Sequence, residues 1–241
     1  GLNRPMGVAV DKAGTVYVCS LTSDNVFAVD RAGQVRQVVD ATTGLNQPPD
    51  LAVGPDGSVF VSGNQSDHVL RIEPDGRVSA VIDERGDGTQ ALDGPAGVAV
   101  DPRGDVYVAG NDSHNVFRIS PDGAIKLLID GQGDGRGARL EGPYDVAVGP
   151  TGHAYVTGAS SNNVFEITPR GEVTCILDET GDGQHPLFGP MGVAVAPDGA
   201  VFVTGSQSHN AFRVDPGGVI TRIVGPDGDQ AGEDQEVDEP S

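Results

Sequence analysis

Asp50 and Asp145 stand in equivalent positions, in PPDLAV and PYDVAV, where three further copies of the same short motif carry Gly7, Gly97 and Gly192. The position before them holds Met6, Pro49, Ala96, Tyr144 and Met191, and so takes both methionines of the chain. Two carboxylates facing one narrow opening repel. At least one should show a raised pKa unless a cation or a hydrogen-bond donor lies between them. Divalent ions that prefer carboxylate oxygen answer that need. Asp50 and Asp145 are therefore the candidate metal ligands, with calcium the divalent cation in view. Met6, Tyr144 and Met191 would wall a small organic ligand beside them, because ligand pockets set a few polar groups into apolar surfaces. The same Met, Tyr and Pro side chains could equally plug the opening, with water and backbone amides satisfying both carboxylates.

Other candidates are thinner. His114 and His209 share one position of the repeat and His68 falls one place later, all ahead of an apolar run. A surface-loop role competes there with a metal or acid–base role. His153 lies in a different turn and His185 in a linker, so neither joins them. Three D-x-x-G-D-G linkers (Asp83/Asp87, Asp130/Asp134, Asp178/Asp182) invite a calcium reading. Each offers only two carboxylates against the roughly six to eight oxygens calcium takes, and its glycines already account for a tight turn. The chain has no G-x-S-x-G elbow, H-E-x-x-H pair, phosphate-binding loop or Cys/His zinc spacing. Its two cysteines, Cys19 and Cys175, sit in non-equivalent places, which predicts free buried thiols rather than a disulfide.

The elements that must position these residues recur five times. Val8, Leu51, Val98, Val146 and Val193 mark the units, which start near residues 5, 48, 95, 143 and 190. Each unit opens with an apolar run such as PAGVAV, followed by a Pro/Gly turn such as DPRG. A second run (DVYVAG), a polar loop, a third run (NVFRIS), a second Pro/Gly turn and a fourth run (AIKLLID) complete it. Pro presets φ near −65° and Gly accepts positive φ, which is hairpin chemistry. Four short β-branched strands per unit, repeated at a nearly constant period, predict the blades of a β-propeller. Nine of the eleven aromatics fall in two columns, Tyr17/Phe60/Tyr107/Tyr155/Phe202 and Phe27/Phe117/Phe165/Phe212, with Leu70 completing the second. They should form the layer between blades. Entries to the innermost strands should ring the mouth of the central channel, which places Asp50 and Asp145 there.

These units resemble NHL repeats through most of the chain. The resemblance is carried by P-x-G-V-A-V-D at Pro5–Asp11 and Pro95–Asp101, by V-Y-V at Val16–Val18 and Val106–Val108, and by linkers in which Gly-Asp-Gly precedes a leucine (Leu92, Leu140, Leu187). The chain departs from the family where the second strand ends: Gly63, Gly110, Gly158, Gly205 or Ser20 replaces the usual Asp. The resemblance implies an all-β propeller of five four-stranded blades. Similar propellers include ligand sensors, protein- and RNA-binding modules, and metal-dependent lactonases and lyases.

A net charge of −20 opposes binding to nucleic-acid phosphate, which needs clustered cations, and no run approaches a membrane span. The sequence thus predicts a propeller over 1–225 and a mobile acidic tail over 226–241. Alternating Asp and Gly at the strand starts points to blades duplicated in pairs, hence to five blades of a longer, six-bladed array. The expected function is a scaffold that binds a small-molecule or protein ligand through the channel mouth and its loops, from an exported or cell-surface protein. The alternative is a metal-dependent enzyme of lactonase or lyase type at the same mouth.

Overall fold

The computed structural model describes residues 1–226, so the expected acidic tail lies, but for Pro226, outside the described residues. Blade one comprises β1 (Pro5–Val10), β2 (Val16–Ser20), β3 (Asn25–Val29) and β4 (Val35–Val39). Blade two comprises β5 (Leu51–Val53), β6 (Val59–Gly63), β7 (His68–Ile72) and β8 (Val78–Ile82). Blade three holds β9 (Pro95–Val100), β10 (Val106–Gly110), β11 (Asn115–Ile119) and β12 (Ile125–Ile129). Blade four holds β13 (Pro143–Val148), β14 (Ala154–Gly158), β15 (Asn163–Ile167) and β16 (Val173–Leu177). Blade five holds β17 (Pro190–Val195), β18 (Val201–Gly205), β19 (Asn210–Val214) and β20 (Ile220–Val224). Each blade is a separate four-stranded antiparallel sheet in sequence order, as the repeat predicts. Among the described residues the one helical turn is a 3-10 turn at Ala41–Thr43, capped by Asp40.

Turn chemistry explains why the strands stop where they do. In blade three the Asp101 carboxylate accepts from the amides of Arg103 (2.8 Å) and Asp105 (3.0 Å). Gly104 closes that turn at φ +91°, a conformation a Cβ would strain. The first strand of blades one, three, four and five shifts register against the second just after its proline, for instance between Pro143 and Val146. Such bulges re-aim side chains. In blade four the shift leaves residues 144 and 145 without ladder partners.

The aromatic columns meet between blades. Tyr17 of blade one packs with Leu51, Val61 and Leu70 of blade two. Phe60 packs with Val98, Val108 and Phe117 of blade three, Tyr107 with Val146, Val156 and Phe165 of blade four, and Tyr155 with Val193, Val203 and Phe212 of blade five. Phe117, Phe165 and Phe212 have no exposed surface, and burying each stabilises the fold by roughly 1.5–3 kcal/mol. Among the described residues none of the four apolar clusters joins blade five to blade one. The corresponding pair, Phe202 and Phe27, is only half-buried. Val8 and Val10 of β1 are 62% and 59% exposed. The two end blades therefore each keep one solvent-facing side.

Candidate functional site

The five strand starts converge. Met6, Gly7, Pro49, Asp50, Ala96, Gly97, Tyr144, Asp145 and Met191 line one cavity of about 170 Å³ at the axis, with at least one residue from every blade. All five candidate residues (Met6, Asp50, Tyr144, Asp145 and Met191) are thus brought together. Met6 and Met191 are the most open to solvent, at 45% and 38%.

Each aspartate also reaches sideways. Asp50 Oδ2 accepts from the amide of Val98 in the next blade at 3.0 Å, and Asp145 Oδ2 accepts from Val193 at 2.8 Å. Asp145 Oδ1 takes its own neighbour's amide, Val146, at 2.8 Å. The preceding blade must then leave room for the aspartate backbone. A Cβ on Gly7 would sit 2.8 Å from Asp50 Cα, and one on Gly97 2.7 Å from Asp145 Cα. Gly and Asp alternate for that reason: each Asp lies against a Gly behind it and binds the amide that follows a Gly ahead of it. The sequence shows the alternation but not this contact, which joins residues 48 positions apart.

A further column was legible but carried no assigned role: Cys19, Ser62, Ala109, Thr157 and Thr204, the fourth residue of each second strand. Cys19 Sγ receives the Gly7 amide at 3.2 Å and Thr157 Oγ1 the Asp145 amide at 3.0 Å, so this column satisfies donors that the bulge frees. Ser62 Oγ donates to the Ala96 carbonyl at 2.6 Å, across to blade three. Both cysteines are free; Cys19 is buried, whereas Cys175 is only half-buried, against the expectation of two buried thiols. Burial pushes the Cys19 thiol up to about 12, which keeps it protonated and inert.

Both carboxylates have raised pKa values. Burial pushes Asp50 up to about 7, against the pull of the Val98 amide, and the charge of Asp145 raises it further. Burial likewise pushes Asp145 up to about 6, opposed by the Val193 and Val146 amides. Desolvation is the larger cause, ahead of the mutual repulsion that the sequence points to. Among the described residues no group of three His, Cys, Asp or Glu side chains is placed to hold a metal ion. The mouth thus offers a cation two carboxylates, three of whose four oxygens already receive the amides of Val98, Val146 and Val193.

The remaining candidates lie elsewhere and brace the blades. Asp24, Asp67, His114 and Asn162 adopt positive φ and accept the linker amides of Gln47, Gly94, Gly142 and Gly189 in the next blade at 2.7–3.0 Å. His114 does so through Nδ1, which leaves its proton on Nε2. His209 holds the same position and φ in blade five and is exposed. His68 instead replaces an asparagine. Asn115, Asn163 and Asn210 hold the carbonyls of Ala91, Arg139 and Pro186 at 2.8 Å, pinning the linker that leads into their own blade. Blade two is entered by the odd, short linker carrying the 3-10 turn, and there His68 Nδ1 lies 2.7 Å from the Ser66 carbonyl. His153 pairs with Glu166 at 2.8 Å, apart from the mouth, and His185 with Asp182 at 3.0 Å in its linker.

The linker carboxylates serve their own turns. Asp87, Asp134 and Asp182 each accept two backbone amides through Oδ1. The second-strand glycines have a local cause too. A Cβ on Gly110 would lie 2.3 Å from Ser113 Oγ and 2.6 Å from Asn115 Oδ1. A Ser-x-Asn latch fills the space that a side chain at the strand end would need.

This architecture is that of a β-propeller, and the NHL repeat family model matches residues 92–119, the end of the linker and the first three strands of blade three. Solved structures agree on the fold. Virginiamycin B lyase from Staphylococcus aureus superposes with a TM-score of 0.72 at 18% identity, covering 91% of this chain and 69% of that one. A chain of a nidogen–laminin complex gives 0.71 at 17% identity, covering 91% and 78%. An auxiliary nutrient binding protein from Bacteroides thetaiotaomicron gives 0.67 at 13% identity, covering 96% and 60%. No curated protein sequence matches the chain significantly.

Proposed function

We propose that the protein is a binding propeller whose channel mouth receives a basic group, an ammonium or guanidinium carried by a small molecule or by a side chain of a partner protein. The observation that carries this is the pair of desolvated carboxylates, Asp50 and Asp145, in one cavity walled by Met6, Tyr144 and Met191. A cation entering there relieves the burial penalty on both, and the net charge of −20 draws cations toward the molecule. The cavity, about 170 Å³, is smaller than the roughly 300–1,000 Å³ of drug-sized sites, which matches the tip of a side chain. Nidogen–laminin and nutrient-binding propellers are the neighbours in keeping with such a role.

Calcium binding by the same two carboxylates is the competing reading, and the lactonase- or lyase-like enzyme would build on it. Calorimetry separates them. Butylammonium and butylguanidinium should bind the parent, more tightly as pH rises through 6 to 8, and should lose most of that binding in Asp50→Asn/Asp145→Asn. Calcium or manganese binding that the double variant abolishes, with no response to the organic cations, would replace the proposal by the metal reading. Equal binding of every cation to parent and variant would end both.

A further inference from the structure

A cavity larger than the mouth lies away from it. It is a groove of about 500 Å³ between blades two and three, opening at the turns after their first strands and after the third strand of blade three. Those turns lie at the strand ends away from Asp50. The same groove recurs between blades three and four, lined there by Tyr107, Arg118, Lys126, Leu128, Pro169 and Gly171, and holds only about 10 Å³. Two side chains on the fourth strand differ between the grooves. Lys126 and Leu128 of β12 fill the second groove, Lys126 Nζ lying 3.8 Å from where a Cβ on Gly171 would be. Their counterparts in β8 are Ser79 and Val81, and the first groove stays open.

Phe60, Val81, Val106 and Ile119 give this groove an apolar floor, and both signs of charge stand on its rim. Arg71 lies over the Phe60 ring at 5.8 Å and binds Asp56 and Ser58 through Nη2 and Nε. Arg103 holds Asp101 through Nε and Nη2. Arg71 Nη2 also faces Glu73 at 3.2 Å and Arg103 Nη2 faces Asp105 at 3.7 Å, so each guanidinium turns Nε and Nη2 to its protein partners and keeps Nη1 for an anion. On the same rim, Asp122 takes its hydrogen bonds from Ser120 and Ala124 through Oδ1, leaving Oδ2 for a cation.

We infer that the blade-two/blade-three groove is a second binding site, for a short apolar peptide zwitterion. Its carboxylate faces the Arg71/Arg103 side, its ammonium faces Asp122, and its side chains lie on the floor. The volume, within the roughly 300–1,000 Å³ of ligand sites, suits a dipeptide.

The test uses leucyl-leucine, its N-acetyl form and its C-terminal amide, followed by calorimetry and by chemical-shift changes. The parent should bind leucyl-leucine with Kd about 1 mM or tighter, worth at least about 4 kcal/mol. Each blocked form should bind roughly threefold or more weakly, the scale of a partly exposed ion pair. Ser79→Lys/Val81→Leu copies the filled groove of the neighbouring blade, so it should fold and lose binding. Asp122→Asn should weaken leucyl-leucine but not the N-acetyl form, and this difference should persist in an Asp50→Asn/Asp145→Asn background, which takes ammonium binding at the mouth out of the measurement. Absence of binding at about 10 mM, binding undiminished in the filled variant, or equal affinity for the blocked forms would each overturn the inference.

Discussion

At Asp50, burial competes with backbone amides, and burial wins: the carboxyl is held at about 7, far above its ordinary 3.8. The linkage follows directly. Between 3.8 and about 7 the unfolded chain ionises this group while the native state keeps its proton. Native stability therefore falls as pH rises through that window and levels off above it. Asp50→Asn retains one oxygen for the Val98 amide and never ionises. Thermal melts of parent and variant should diverge between pH 5 and 8, with the variant the more stable at pH 8. A pH-independent difference would show that burial does not govern Asp50. Asp50 also feels the Leu51 amide, but Asp145 is held more closely, with Val146 and Val193 each donating to a different oxygen at 2.8 Å. Asn there turns one donor against another, and Asp145→Asn should cost about 1–3 kcal/mol even at pH 8.

Among the elements, the bulged first strands decide what the mouth can hold, and their glycines are spacers between blades. Gly97→Ala would drive a methyl to 2.7 Å from Asp145 Cα, a backbone atom that cannot step aside. Overpacking of that kind costs roughly 1–3 kcal/mol or more. Gly131→Ala is the control, since its nearest neighbours lie at 3.7 Å. Denaturant melts should separate the two; equal stability would mean that the blades slide apart freely. The bracing positions make a matching pair. His114→Asn should be tolerated, because Asn162 makes the same bond in the next blade, whereas His114→Ala should lose about 1 kcal/mol. The strands themselves were legible because apolar runs and Pro/Gly turns recur five times in register. The gathering of Met6, Asp50, Tyr144, Asp145 and Met191 was legible too, since equivalent positions of a propeller must share one end of the axis. The reason for each Asp/Gly exchange was not, because it lies in contacts between blades that no single unit displays. The open groove was hidden differently: Ser79 against Lys126 reads as ordinary variation at a solvent-facing strand until the neighbouring turn is in place.

Over the whole molecule, stability follows from how many neighbours a blade has. Blades two, three and four each share two of the apolar clusters, whereas blades one and five share one. When repeats are stabilised mainly by their nearest neighbours, the terminal ones open at lower free energy. The side chains repeat this order. They do so on the blade-one side: Phe117, Phe165 and Phe212 have no exposed surface, each packed on the preceding blade, while Phe27, whose cluster does not reach blade five, is half-buried. Native-state hydrogen exchange should find the slowest amides in β10 and β14. Those of β2 and β18 should exchange earlier, through sub-global opening rather than complete unfolding. Two substitutions sharpen the expectation. Phe117→Leu should destabilise the central blades by about 1–2 kcal/mol, and Phe202→Leu, with its ring partly in solvent, by well under 1 kcal/mol. Uniform protection across all five blades, together with equal effects of the two substitutions, would show that blade five and blade one are coupled as firmly as any other pair. Blade one would then need an apolar partner for Val8 and Val10 in solution, where this structure leaves them 62% and 59% exposed.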